Sequence, residues 1–263
     1  MLSKLLKYEL KATGRIILPL FLALLLFAGI NRFTLNQEKF DAPAMISMIM
    51  YIIIMVGMFV MTFIMMIQRF YKNLLSDEGY LMLTLPVKSW KHIVSKLLVS
   101  MLWMIASGIA ALISILIIAL KIGDITKIAD GFATLHQQVM EQLGTSAYLL
   151  SFEIIIGFLL ILASGILIVY ASIAIGHLFS RHKMLATFGA FIVLSTLSQI
   201  LFVLMSFTLG TYFSNVHVSS HDFISMQPVI QWAIAYGIIF TGLLSAAYFA
   251  ATNFILSKRL NLE

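Results

Sequence analysis

The stretch LLSDEGYLMLTLPVKSWKHIVSKLL, Leu74 to Leu98, interrupts a chain that is otherwise mostly apolar. It gathers an acidic pair (Asp77, Glu78), Gly79, Pro86 and the bases Lys88, Lys91 and Lys96, after which the chain turns apolar again. Its meaning depends on the long runs on either side. Of 263 residues, 61% are hydrophobic and 11% charged, with mean hydropathy +1.03. A soluble domain is nearer half apolar and a quarter charged. No water-soluble fold hides this much apolar surface, so lipid must cover part of it, and the chain reads as an integral membrane protein.

Six runs have the length and apolarity of membrane helices, near residues 16–30, 43–67, 93–120, 147–176, 184–210 and 229–256. Helices are favoured because only helices or closed barrels satisfy the backbone in lipid. The runs lack the two-residue alternation of barrel strands. Six spans leave both termini on one side. With the termini inside, four bases fall outside (Arg32, Lys39, Lys121 and Lys127) and the other thirteen of the 17 Lys and Arg fall inside. That asymmetry predicts cytoplasmic termini, and a cytoplasmic stretch between the second and third spans. The formal charge of +6 is accounted for by this sidedness and is not a nucleic-acid signal.

Residues 1–15 lack the uninterrupted apolar core of a signal peptide. Lys4, Lys7 and Lys11 share one helical face, with Leu2, Leu5, Leu6 and Leu10 largely opposite. The pattern predicts a helix lying in the membrane interface; the plainer alternative is a basic flank of the first span. Residues 122–146 place Ile125, Ile128, Phe132, Leu135, Val139 and Leu143 at helical spacing. That predicts an amphipathic extracellular helix, weakened by Gly131.

Chemistry-bearing motifs are few. There is no cysteine, no G-x-x-x-x-G-K-[ST] phosphate loop and no H-E-x-x-H. Glu153 is the only carboxylate inside a predicted span, near its outer end, where it is expected to play a structural part, with a gate or a cargo contact as the alternative. His217 and His221, beside Asp222, have a possible metal-ligand spacing but lie in a loop, so no metal site is assigned. No residue is assigned a catalytic role.

Within the opening stretch, Asp77 and Glu78 suit the start of a short helix. Gly79 permits a tight turn, Pro86 ends the segment, and Ser89 is expected to cap the next helix. Tyr80, Leu81, Met82, Leu83 and Leu85 are apolar yet lie outside any full span. The result is a short stiff apolar helix at the membrane, either seated in a partner's groove or buried among headgroups.

The run DEGYLMLTLPVKSWKHIVSKLL resembles the cytoplasmic loop of ABC-2-type transporter permeases, as does YASIAIGHLFSRHK at the end of the fourth span. The six-span layout with a basic N-terminal elbow is also similar. The resemblance implies a bacterial plasma-membrane subunit paired with a second permease chain, identical or related. Two separate cytoplasmic ATPases would bind ATP and Mg. It makes residues 74–88 the coupling segment, with Asp77, Glu78, Gly79, Tyr80, Leu81, Met82, Leu83, Thr84, Leu85 and Pro86 as the ATPase-docking helix. The short stretch from Thr211 to Val229 departs from the large lipid and polysaccharide exporters of that family and disfavours sterol or polymer export, and the resemblance to its small six-span permeases implies an antimicrobial or amphipathic peptide cargo.

Met48, Tyr51, Met55, Met58, Thr62 and Met65 form one helical stripe in the second span. It is expected either to line a cargo path at the subunit interface or simply to pack. Gly242, Ala246 and Ala250, and Ala106, Ala110 and Ser114, have the spacing of close helix packing. Gln199, Gln231 and Asn253 are expected to bond to neighbouring helices. The whole predicts one all-α transmembrane domain over residues 1–263, with six transmembrane helices, an N-terminal interfacial elbow helix and a coupling helix between spans two and three. It is the non-enzymatic part of an ATP-driven exporter. The rival readings are a membrane sensor or immunity protein that holds a toxic peptide without moving it, and a gradient-driven carrier.

Overall fold

The structure, a computed structural model, describes residues 2–35, 42–75, 88–120, 124–144, 146–179, 181–214 and 223–258. The docking helix expected at residues 77–86 and the His217–His221 loop lie outside the described residues. Seven α-helices occur among the described residues: α1 (Leu2–Leu35), α2 (Ala42–Leu75), α3 (Ser89–Ala119), α4 (Asp124–Leu143), α5 (Ser146–Gly176), α6 (Lys183–Ser214) and α7 (Phe223–Lys258). All except α4 are long and apolar enough to cross a membrane, and they coincide with the six expected spans. The chain is a multi-pass membrane protein by length and composition.

Two compact units divide the chain, residues 1–129 and 130–263. In the first, α1 packs on both α2 and α3, and α2 packs on α3. Its apolar centre joins Leu24 and Ala28 of α1, Tyr51 and Met58 of α2, and Ala110 and Ala111 of α3. A second cluster, nearer the start of α1, joins Ile17, Met65, Val99 and Trp103. Hydroxyls and amides cross between these helices as well. Asn31 Nδ2 donates to the Ser47 carbonyl at 3.1 Å, and Ser47 Oγ returns a bond to Asn31 Oδ1 at 2.9 Å. Tyr51 and Ser114 share a hydrogen bond at 2.9 Å, Thr62 and Ser107 one at 3.1 Å, and Arg32 donates to the Ile117 carbonyl at 3.1 Å.

Two local expectations change. Residues 1–15 are not a separate elbow: from Leu2 onward they are the first turns of α1, which runs on through Pro19. The cause is on the inner face, where Glu9, Thr13 and Ile17 are buried while Lys4, Lys7, Lys11 and Arg15 are exposed. These turns are docked on protein. Ser89 does not cap α3 either. The helix starts one residue sooner than that role requires, with Lys88 in the extended cap position and no side-chain cap bond.

In the second unit α5 is the centre, packed on α6 and α7, while α6 and α7 scarcely meet. From Ile166 to Gly176 nearly every α5 residue is buried. On α7 the packed line is Ser245, Tyr248, Thr252 and Ile255; Ala246 and Ala250, expected to pack, are exposed. Helix α6 has no buried residue among those described, and Phe188, Val203 and Phe207 stand well out from it. Gln199 is exposed at its middle and makes no side-chain hydrogen bond among the described residues. Helix α4 is continuous despite Gly131, with Phe132, Leu135 and Val139 of its apolar face exposed.

Helices α5 and α6 approach closely at Gly176, where an added Cβ would lie 2.7 Å from the backbone Cα and N of Thr187. Backbone cannot step aside as a side chain can. Gly176→Ala is therefore expected to cost about 1–3 kcal/mol, the usual range for overpacking. Gly165→Ala on the same helix meets nothing within 4 Å, and removing a mid-helix glycine there should be neutral or stabilising by up to about 1 kcal/mol. Thermal unfolding of the two variants in one detergent compares them directly.

Candidate functional site

The densest group of polar side chains lies where the start of α1, the end of α2 and the start of α3 come together. A helix that half-buries Leu2, Leu5 and Leu6 also turns positions 9 and 13 inward, since residues three and four apart share a face. Position 9 is a carboxylate. Lys96 Nζ donates to Glu9 Oε1 at 2.5 Å, with the two side chains only 2% and 9% exposed. One turn further, Trp103 Nε1 donates to Thr13 Oγ1 at 2.7 Å, and that hydroxyl donates to the Glu9 carbonyl at 2.8 Å. Gly14 lets the indole lie against α1: a Cβ there would be 3.4 Å from the ring. Phe21 meets the same indole edge-on, centroids 6.0 Å apart. So α1 and α3 are joined by an ion pair, an indole bond and an aromatic contact in succession.

Beside the pair is a small cavity of about 20 Å³, bounded by Glu9, Thr13, Thr62, Arg69, Lys96 and Trp103 among others. That is room for about one water molecule. Arg69 is half-buried and has no carboxylate partner among the described residues. Residues 76–87 connect the two helices that carry Arg69 and Lys96. On both flanks the helix ends are deeply set: Phe70 and Leu74 on α2, and His92, Ile93, Ser95 and Lys96 on α3, are buried. Trp90 stays partly exposed, with the Lys91 ammonium 5.6 Å from its ring centre.

The methionine stripe faces this interior. Tyr51, Met58, Thr62 and Met65 are buried, and Met48 and Met55 half-buried, against α1 and α3. In this arrangement they pack and hydrogen-bond within the first unit. Of the small-residue sets, Ala110 and Ser114 of α3 do lie on the packed face. Glu153 is half-buried, with Oε2 enclosed and lacking a hydrogen-bond partner. Among the described residues no group of three His, Asp or Glu could hold a metal ion.

Sequence reasoning counted Lys96 only as a base and passed over Glu9. The available signal was a carboxylate on the apolar face of a basic amphipathic helix, opposite Lys4, Lys7 and Lys11. Which base would answer it, 87 residues away, was not readable. No protein-family model, curated protein or solved structure matches this chain.

Removing the Thr13 hydroxyl strands the buried indole N–H, a loss of about 1–3 kcal/mol, whereas removing both partners leaves nothing stranded. Thr13→Val should therefore lower the unfolding midpoint. Adding Trp103→Phe to it should cost less than Trp103→Phe costs alone, read from a thermal double-mutant cycle.

At the other basic turn, burial first and the Lys183 ammonium second hold the His177 imidazole below the usual histidine value. The unfolded chain then binds the extra proton more readily. Stability is complete above the ordinary histidine range near 6.5 and falls as pH drops through the folded value. His177→Gln should flatten that acid-side decline in melting curves recorded from pH 7.5 down to about 5.

Proposed function

We propose that this chain is the membrane-spanning subunit of an ATP-driven exporter of the ABC-2 type. In this reading residues 77–86 dock into a separate cytoplasmic ATPase that binds ATP and Mg, and a second permease chain completes the pathway. Three features support it: six apolar helices, thirteen bases on the side assigned to the cytoplasm, and the likeness of the 77–98 run to the coupling loop of such permeases.

One observation carries the mechanical part. Both ends of segment 76–87 run into buried helix ends, and the downstream end is fixed to α1 through Lys96 and Glu9 within two turns of Ser89. A displacement applied at this point then passes to α3 and α1. The flanks of a passive surface loop would be loosely packed. The chain itself carries no phosphate loop, which fits a division of labour in which another chain spends the nucleotide.

The cargo in this reading is a hydrophobic or amphipathic molecule, most simply a peptide, moved outward across a bacterial plasma membrane. Because the methionine stripe is packed inside the first unit, a path along it needs α1 or α3 to move away from α2.

Leu81→Pro with Leu83→Asp tests the docking. Purified in mild detergent from its native host, the natural chain should carry a nucleotide-binding subunit with it, and the double variant should lose that subunit while inserting normally. A natural chain that copurifies with no ATPase and shows proton-dependent flux would make it a gradient-driven carrier. One that binds peptide without flux would make it a sensor or immunity protein.

A further inference from the structure

We propose that α6 is the contact between two copies of this chain, packed in parallel with their Gln199 amides facing each other at mid-membrane. Gln199 is the starting point. It lies 16 residues after Lys183 and 15 before Ser214, the two ends of α6. A glutamine side chain cannot reach headgroups from the middle of a bilayer whose apolar core is about 30 Å thick. Gln199 is exposed and makes no side-chain hydrogen bond among the described residues. Lipid tails offer an amide no partner, and leaving it unpaired there is costly. A second protein surface can supply the partner.

The rest of that face has the spacing of a helix–helix seam. Gly189, Ile192, Thr196, Gln199, Val203 and Ser206 follow one another at intervals of three and four, as the a and d positions of a heptad do, and each is exposed. The run from Gly189 to Ser206 covers about 26 Å of helix, close to the thickness of the apolar core. By helical geometry it lies opposite Thr187, Leu194, Ser198 and Met205, the half-buried line along which α6 packs on α5. Helix α5 therefore leaves the seam free. An added Cβ at Gly189 would meet nothing within 4 Å. No neighbour within the chain accounts for that glycine, whereas a helix laid on the seam would use the room.

The occupant is a second copy because the seam complements itself. An amide carries both donors and an acceptor, so one Gln199 satisfies another. Two copies inserted in the same orientation run their α6 helices parallel, and a two-fold axis along the membrane normal sets each seam residue opposite itself. The inference makes the second chain of the exporter reading an identical one. It stands on α6 alone, and it would hold equally for a carrier or a binding protein.

The chain has no cysteine, so a single introduced one has no other thiol in its own copy to pair with. Two differently tagged copies, both carrying Thr196→Cys or both Val203→Cys, are produced together and oxidised in the membrane. A covalent dimer holding both tags is expected. Leu197→Cys and Leu204→Cys, also exposed but off the seam, should give several-fold less. Adding Gln199→Leu to Thr196→Cys should lower the dimer roughly three- to tenfold, the weight of an interhelical polar contact in a bilayer, and Gln199→Asn should lower it less. Four results would overturn the proposal: no dimer at the seam positions in chains that have inserted, equal yields on and off the seam, an undiminished dimer in Gln199→Leu, or a product joining the chain to a different protein. No ATPase enters the measurement, so its outcome is separate from that of the docking experiment.

Discussion

The bond between Glu9 and Lys96 sets the terms for the first unit. In water, apolar faces drive helices together. In a bilayer the lipid tails are as apolar as leucine, so that force between helices vanishes, and close packing and polar contacts must replace it. The unit formed by α1, α2 and α3 does both. Methionine, alanine and leucine fill its centre, and between the apolar layers run the contacts of Glu9 with Lys96, Thr13 with Trp103, Thr62 with Ser107, Tyr51 with Ser114 and Asn31 with Ser47. The ion pair is the most demanding of these, because removing one partner of a buried pair costs about 3–5 kcal/mol.

The second unit is held differently. Ser172, Ser198, Thr241, Ser245 and Thr252 donate to carbonyls of their own helices, at positions three or four residues back. Such bonds satisfy a hydroxyl in lipid without linking helices. Close fit contributes to the linking, with Gly176 against the Thr187 backbone and Gly157 close to Ile238. Helix α6 packs chiefly on α5 and meets α7 at Phe202 and Phe240. Many of its exposed side chains are large and apolar and suit lipid, while the Gln199 amide stands among them at mid-helix.

Length and hydropathy made the six spans legible, because a bilayer imposes a minimum run of apolar residues that no soluble fold requires. The amphipathic helix at residues 124–143 was legible from Phe132, Leu135 and Val139, and Gly131 proved too small a penalty to break it. The elbow misled for a physical reason. Lys4, Lys7 and Lys11 do face outward as an interfacial helix requires, but the opposite face was scored as leucine when its decisive members were Glu9 and Thr13. Small residues were an uneven guide: Ala110 and Ser114 pack while Ala246 and Ala250 do not. A four-residue spacing marks a face, and nothing local says which helix will come to it.

The start of α3 needs a hold of another kind. It carries no side-chain cap, and the buried His92, Ile93, Ser95 and Lys96 follow within its first two turns. There the Lys96 ammonium meets the Glu9 carboxylate, so this end of α3 is tied to the start of α1 by a contact between helices where a cap within the helix is lacking.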